Sequence, residues 1–347
     1  MSRAKSSARR RLARLVTGFA VLVLTAWGVL ALWYQAPQPA VRWIALALWT
    51  AAGLSMVVAL TGLPGRRTRN FTAVVFASAV AILAGWWSTL QPSHQRLWAD
   101  DVARLLEARI DGNQIDLENV RNFEWRSETD YSPRWENRTY ELDRLRSADL
   151  VLSYWMGPHI AHTLVSFGFD GGERIVFSVE IRKERHESFS TVGGFFRQFE
   201  QVLVAADERD ILRTRSNVRG EDVYLYRLQM DQANVRALFL EYLRAANELR
   251  RSPRFYNTLT SNCTTVVFEL ARLIAPTLPL DYRLLVSGRF AEYARDLHGL
   301  TPGYRYAELQ SLGHINERAL AADVSGRDFS MAIRQGVPGI PVDEVRP

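Results

Sequence analysis

Residues 162–184 read HTLVSFGFDGGERIVFSVEIRKE, two runs rich in Val, Ile and Phe joined across Asp170-Gly171-Gly172. Glycine tolerates the positive φ that a tight connection needs, so this stretch predicts a β-hairpin. Period-two alternation places Ile175, Phe177, Val179 and Ile181 on one face of the second strand and Ser178, Glu180 and Arg182 on the other. One face is therefore apolar enough to bury, and the other carries polar groups. His162 opens the first strand, where the same alternation aims its imidazole to one face on a rigid backbone.

Working upstream, DLVLSYW (149–155) continues the strand pattern, and IDGNQIDLENVRNFEWRS (110–127) also alternates. Between them the polar, aromatic-rich run ETDYSPRWENRTYELDRLRSAD is expected to wrap the surface. A helix is expected from about Arg96 to Ala108, with Leu97, Val102, Leu105, Leu106 and Ile110 roughly on one side. Downstream, QVLVAADERD and DVYLYRLQM read as short strands, after which the period changes. Asp231 is a suitable N-cap for a helix to about Leu249, with Val235, Leu238, Phe239, Tyr242, Leu243 and Ala246 inward. A second helix is expected beside Asn262, running through Thr264 to Ile274 until Pro276 stops it. The C-terminal stretch, rich in Gly and Pro, is expected to be partly ordered loop. Strands followed by helices give an α+β class for this part of the chain.

The first ninety residues obey a different solvent. LVTGFAVLVLTAWGVLALWY (15–34) is a run of twenty residues without a charge, enough at 1.5 Å each to cross a hydrocarbon core of about 30 Å. Similar runs extend over about Trp43–Leu63 and Phe71–Leu90, with Trp33, Tyr34, Trp43, Trp86 and Trp87 near their ends as interfacial anchors. A cleaved signal peptide would have a shorter apolar region and a small-residue cleavage site, and two further spans follow, so the first run reads as a membrane helix. Three transmembrane helices in residues 1–92 and a soluble domain in 93–347 are the expected division. Arg3, Lys5, Arg9, Arg10, Arg11 and Arg14 precede the first span and Arg66, Arg67 and Arg69 follow the second, whereas the intervening loop ends in Arg42 alone. By the positive-inside rule the N-terminus is cytoplasmic, and three crossings place everything after Leu90 outside, in the periplasm of a cell with two membranes.

The charge of +6 does not point to nucleic acid, because ten of the 43 basic residues lie before position 70 with no acid beside them. Without them the chain is slightly acidic. The single cysteine, Cys263, rules out an intrachain disulfide and a cysteine-rich metal site. His159 and His162 have a spacing that suggests a metal pair, but Pro158 disfavours a helix there and no further ligand cluster follows, so no metal and no cofactor is expected.

Cys263 stands in TLTSNCTTVVFELARLI, where a polar turn becomes an amphipathic helix. Backbone N–H groups and the positive end of the helix dipole favour a thiolate there, and the same groups can hold an oxyanion. A thiolate nucleophile needs a base, normally a histidine held by a third polar group. Of His94, His159, His162, His186, His298 and His314, the strand-borne His162 is the best placed, with Glu180 or Ser178 on the neighbouring strand to orient it. The competing readings are a small buried cysteine, a structural histidine and a Glu180/Arg182 pair on a solvated face.

These residues carry a resemblance. TDYSPRWENRTYELDRLRSADLVLSYW, IAHTLVSFGF, SVEIRKE, ADERDILRTR, EDVYLY and FYNTLTSNCTT together resemble the Lnb N-terminal periplasmic domain family of Gram-negative bacteria, from Asp130 to beyond Cys263. The resemblance implies a permuted papain-like fold similar to lecithin-retinol acyltransferase relatives, with His before Cys. It carries the family's nucleophile onto Cys263 and its base onto His162. One member group N-acylates bacterial lipoproteins with phospholipid as donor. The expectation is an inner-membrane-anchored periplasmic thiol enzyme acting on a lipid or lipoprotein through Cys263, His162 and Glu180. A cell-wall amidase or peptidase and a non-catalytic envelope module are the alternatives.

Overall fold

In a computed structural model the chain is described over residues 2–345. It forms two compact units, one of residues up to Pro92 together with Ser190–Gln198, the other of Ser93–Phe189 together with the chain from Phe199 on.

The first unit is built on α1 (Ser2–Gln35), α2 (Pro39–Thr61) and α3 (Arg66–Thr89). The apolar part of α1, Arg11–Gln35, is about 38 Å long at 1.5 Å per residue, and all three helices are long and apolar enough to cross a membrane. Leu15, Phe19, Leu48 and Ile82 stay exposed, as lipid-facing side chains must. Small residues set the α1–α2 crossing: a Cβ on Gly28 would fall 2.3 Å from the Trp49 ring, and one on Gly53 would fall 2.3 Å from Thr25 Oγ1. The indole nitrogen of Trp49 donates to the Thr25 carbonyl at 2.8 Å, which removes a bare donor from the apolar interior. The side chains of Arg3, Lys5 and Arg10, which carry part of the positive-inside argument, lie outside the described ones.

The second unit is a sheet covered on both faces. Its strands are β1 (Glu107–Asp111), β2 (Gln114–Arg121), β3 (Glu124–Trp125), β4 (Tyr131–Ser132), β5 (Trp135–Glu141), β6 (Leu145–Tyr154), β7 (Ala161–Phe169), β8 (Arg174–Arg182), β9 (Glu200–Ala206) and β10 (Asp222–Arg227). The main sheet runs β1-β2-β9-β8-β7-β6-β10, with β5 also on β2 and β3–β4 forming a separate small ribbon. The expected hairpin is β7–β8, paired antiparallel from Gly168↔Arg174 to Leu164↔Ser178. The helices of this unit are α4 (Glu208–Arg213), α5 (Gln232–Arg251), α6 (Cys263–Ile274), α7 (Phe290–Asp296), α8 (Tyr306–Gly313), α9 (Asn316–Ser325) and α10 (Phe329–Arg334). Three long apolar helices followed by this sheet-rich unit make the chain α+β.

Ile175, Phe177 and Val179 enter a core shared with Phe239, Tyr242 and Leu243 of α5 and Val267 and Phe268 of α6. Val176, on the opposite face, joins Val151, Leu164 and Val204 in a second core beneath Ile211 of α4, Ala319 of α9 and Ile333 of α10. The expected caps are present: Asp231 accepts from the Asn234 N–H, and Asn262 accepts from the N–H groups of Thr264 and Thr265.

Three expectations are corrected. Arg96–Ala108 is not a helix, because tertiary pairing outweighs its 3.6-residue period. The backbone of 97–99 pairs with 183–185 beyond β8, and Trp98 packs under the Arg182 guanidinium at 4.3 Å. The polar run after Ser127 does not merely wrap the surface, since β5 pairs with β2 and β6 lies inside the sheet. The C-terminal stretch holds short helices rather than loose loop, and α9 and α10 cover the second face of the sheet.

What fixes α10 in place is a buried charge. Arg334, fully buried, donates from Nη2 to Asp149 of β6 at 2.8 Å and to Glu208 of α4 at 2.6 Å. Replacing it by Met leaves Glu208 without its cation and Asp149 with Arg227 alone. Breaking a buried pair on one side costs about 3–5 kcal/mol, and Arg334→Met is expected to lose that much in urea unfolding of the full chain, while Arg305→Met on the surface loses less than about 0.5 kcal/mol. Equal effects would show that Arg334 holds nothing together.

Candidate active site

Cys263 is the first residue of α6, with Asn262 as a capping box partner of Thr265. The sequence suggests several free N–H groups there, but the Asn262 side chain takes up those of Thr264 and Thr265 at 2.9 Å each. The N–H of Cys263 itself is not engaged by the cap. Thr264 meets Thr163 of β7 through their hydroxyls at 2.9 Å, which ties the helix start to the strand that carries His162. Cys263 as a residue is buried, with 8% of its surface exposed.

His162 lies one residue into β7, opposite Ser153 of β6. Continuing the β7–β8 register two residues past Leu164↔Ser178 sets it across from Glu180. Its Nε2 sits 2.6 Å from Ser178 Oγ and 3.2 Å from Glu180 Oε1, and the Ser178 hydroxyl donates to Glu180 Oε1 at 2.7 Å. Ser178 Oγ thus stands between Nε2 and the carboxylate, and the imidazole lies within electrostatic reach of the Cys263 sulfur. Glu180 is held from behind by Arg215 at 2.9 Å. Arg215 also bonds Glu221 at 3.2 Å, and Glu221 accepts from the Ser153 hydroxyl.

The electrostatics follow from this chain of groups. Burial pushes the His162 imidazole toward neutrality, but the Glu180 carboxylate, against the opposing charge of Arg215 and with help from the sulfur, raises its pKa to about 9. Burial likewise pushes the Cys263 thiol up, yet the imidazolium charge, its hydrogen bond and the Thr163 N–H bring it below its ordinary value. Glu180 is driven well below the usual carboxylate range despite burial, because His162 and Arg215 both stabilise its anion. The imidazole is thus pushed toward its charged form and the thiol toward its own, with the Glu180 carboxylate behind the ring.

Residues 131–288 match the family model of the Lnb N-terminal periplasmic domain. This segment belongs to that family. Comparisons with curated proteins and with solved structures return no match. Every residue of the polar network, from Ser153 to Cys263, falls inside the Lnb segment, whereas α1–α3, β1–β3 and α7–α10 lie outside it. The periplasmic character of the family together with three membrane-length apolar helices makes the chain a membrane-anchored protein with a periplasmic domain.

His162 and Glu180, singled out in the sequence, are brought together with Ser178 between them, and Cys263 lies close enough to the imidazole for each to shift the other's proton affinity. The other histidines are elsewhere: His94 bonds the Leu249 carbonyl, His314 faces Asp222, and His159, His186 and His298 are exposed. Sequence reasoning missed Arg215, Glu221 and Ser153. Arg215 ends the motif ADERDILRTR and Glu221 opens EDVYLY, so the signal was present, but without a fold neither could be given a direction. Among the described residues no three His, Cys, Asp or Glu side chains gather as metal ligands would.

The pair's charge state is open to direct measurement. Iodoacetamide reacts with thiolate, so Cys263 should alkylate at pH 6–7 on the order of tenfold faster than free cysteine. The Glu180 charge repels the thiolate weakly but sustains the imidazolium that stabilises it, so Glu180→Gln should lower the rate at pH 6 and move the titration midpoint upward. Ser178→Ala, which removes no charge, should do less. A rate in the native protein no faster than that of free cysteine would remove the ion pair.

Proposed function

We propose that this chain is a membrane-anchored thiol enzyme that transfers or hydrolyses an acyl group, with Cys263 as nucleophile, His162 as acid and base and Glu180 as the group that holds His162. The observation that carries the reading is the depressed thiol at a helix start beside an imidazole whose far nitrogen is tied to a carboxylate. An ordinary structural cysteine needs none of these partners. His on a strand before Cys on a helix, inside a family segment, supports the permuted papain-like arrangement and the family's acyl chemistry.

The steps follow from the positions of the groups. The Cys263 thiolate attacks an acyl carbonyl carbon, and the π pair moves to oxygen, which accepts a hydrogen bond donated by the Cys263 N–H. The tetrahedral intermediate collapses as the bond to the leaving oxygen or nitrogen breaks and the His162 imidazolium donates its Nδ1 proton to that atom. A thioester on Cys263 and a neutral imidazole result. An incoming amine or water then gives its proton to His162 while attacking the thioester, releasing the acylated product and restoring the ion pair. Glu180, through Ser178, keeps Nε2–H fixed throughout, so the ring presents Nδ1 to sulfur in every step. A membrane anchor favours an acyl donor that resides in the bilayer, namely a phospholipid or lipoprotein of the inner membrane, over a cell-wall peptide. The charge distribution around α1–α3 supports a cytoplasmic N-terminus, so the site faces the periplasm.

The intermediate is the decisive species. Full-length protein in phospholipid nanodiscs, denatured rapidly in acid and digested, should carry a hydroxylamine-labile fatty acyl group on the Cys263 peptide. Cys263→Ala should carry none, and His162→Ala should form it at least about 10²-fold more slowly, the usual share of a general acid–base. An unacylated Cys263 that nevertheless hydrolyses muropeptides would move the substrate to the cell wall. An unacylated, unreactive Cys263 would leave a non-catalytic envelope module. A reporter fused after Gln91 should be active outside the cytoplasm and one within Pro64–Asn70 inside it; reversed signals would overturn the orientation.

A further inference from the structure

The nine residues Ser188–Phe196, SFSTVGGFF, contain no charge, in a soluble unit where most blocks of ten carry several. They connect β8 to β9, yet Ser190–Gln198 groups with the membrane helices rather than with the sheet. We propose that Ser190–Gln198 is a bilayer-inserted loop whose Val192 and Phe195 side chains pack among phospholipid acyl chains beside α1 and α3. This assignment is independent of the thiol chemistry.

Depth comes first. The Phe196 ring stacks on Tyr34 with centroids 5.9 Å apart and also reaches Trp27 at 6.4 Å. Trp27 lies eight residues before the end of α1, about 12 Å along the axis, within the membrane-length span Arg11–Gln35. It also contacts Trp87 of α3 at 5.1 Å. The loop therefore reaches past the helix ends along the apolar wall of α1, and does not simply rest on them.

Backbone satisfaction comes second. Irregular backbone survives at membrane depth only where its polar groups find protein partners. Here Gln35 Nε2, at the end of α1, donates to the carbonyls of Phe196 at 2.9 Å and Arg197 at 2.7 Å. Within the loop the Gly194 N–H bonds the Ser190 carbonyl at 3.2 Å, Phe195 N–H that of Val192 at 3.0 Å, and Gln198 N–H that of Gly193 at 3.2 Å. The Gly193 N–H is taken by Ser190 Oγ at 2.9 Å. Protein groups thus meet the carbonyls of Ser190, Val192, Gly193, Phe196 and Arg197 and the N–H groups of Gly193, Gly194, Phe195 and Gln198.

The side chains agree with the backbone. Gly193, Gly194 and Phe196 are buried against the helices, while Val192 and Phe195 point away at 45% and 44% exposure. The first charge, Arg197, reaches the Trp87 carbonyl at 3.0 Å and covers the Trp87 ring at 4.8 Å, spreading its stem over apolar surface as interfacial arginines do. Bilayer chains are the occupant that this setting supplies, because the patch continues the wall of helices that must already face lipid.

The test uses the full chain in nanodiscs. In a Cys263→Ala background the only thiols are those introduced, so nitroxide labels are placed at Val192→Cys and Phe195→Cys, with Phe19→Cys on α1 as lipid reference and Val324→Cys on α9 as aqueous reference. Power-saturation spectra should show both loop labels several-fold more accessible to oxygen than to a water-soluble nickel complex, like position 19 and unlike position 324. Two labels guard against one that disturbs the loop. A nickel accessibility like that of position 324 would put the loop in water, and low accessibility to both reagents at 192 and 195 would mean that protein covers it; either result overturns the proposal. Neither reading depends on acylation of Cys263, so the loop assignment and the enzyme assignment fail separately.

Discussion

Burial of charge beneath a sheet that is covered on both faces is the constraint on which the second unit depends. A sheet with one wet face can leave its polar residues in water, but this one is covered by α5 and α6 on one face and by α4, α9 and α10 on the other. Asp149, Glu208, Asp210, Arg121 and Arg334 are all buried, and each is matched by an opposite charge within hydrogen-bond reach. Such pairs add little net stability over well-packed apolar groups, but they penalise every arrangement that leaves one member alone. They therefore select a single placement of the C-terminal helices. The His162–Glu180–Arg215–Glu221 chain follows the same rule. It differs in that one end of the chain is a titratable imidazole, beside which the proposed chemistry places the sulfur anion.

That difference separates a structural ion pair from a reactive one. Arg334 and its carboxylates are closed among themselves, and no displacement of a proton would improve any of them. In the proposed site the positive charge sits on an imidazole, which can give up its proton to a leaving group, and the negative charge sits on the most nucleophilic atom of the chain. Arg215 opposes the imidazolium directly while holding Glu180 in place. The site thus balances two effects of one arginine, and the carboxylate it positions outweighs its own repulsion.

Much of this was legible in the sequence because period, caps and charge asymmetry are local. The hairpin at Asp170-Gly171-Gly172, the caps Asp231 and Asn262 and the three apolar runs each announce themselves within a few residues. The contact of His162 with Glu180 was legible because the two lie on adjacent strands of that hairpin, and the position of Cys263 because it begins a capped helix. Arg96–Ala108 misled because the side chains that satisfy it, Arg182 and Asn247, lie far along the chain. Arg215 and Arg334 were unreadable for the same reason, since an arginine's partner is chosen by the fold. The segment Ser188–Phe196 was different in kind: its lack of charge was visible, but it is too short for a span and too apolar for a surface turn.

The seam between β2 and β9 bears on how the molecule moves. The two strands pair in parallel at one position, Arg121↔Ala206, whereas the β8–β9 ladder runs through seven pairs. The block of β1, β2 and β5 is joined across that line chiefly through side chains, above all the Arg121 guanidinium gripping Asp210 at 2.8 and 3.2 Å. Amide hydrogens in that block have a route to solvent that does not require the central strands to separate, so they exchange as a sub-global unit of lower opening free energy. His162, Glu180 and Cys263 lie on the other side of the seam. Breathing of the outer strands therefore leaves the spacing between sulfur and imidazole untouched.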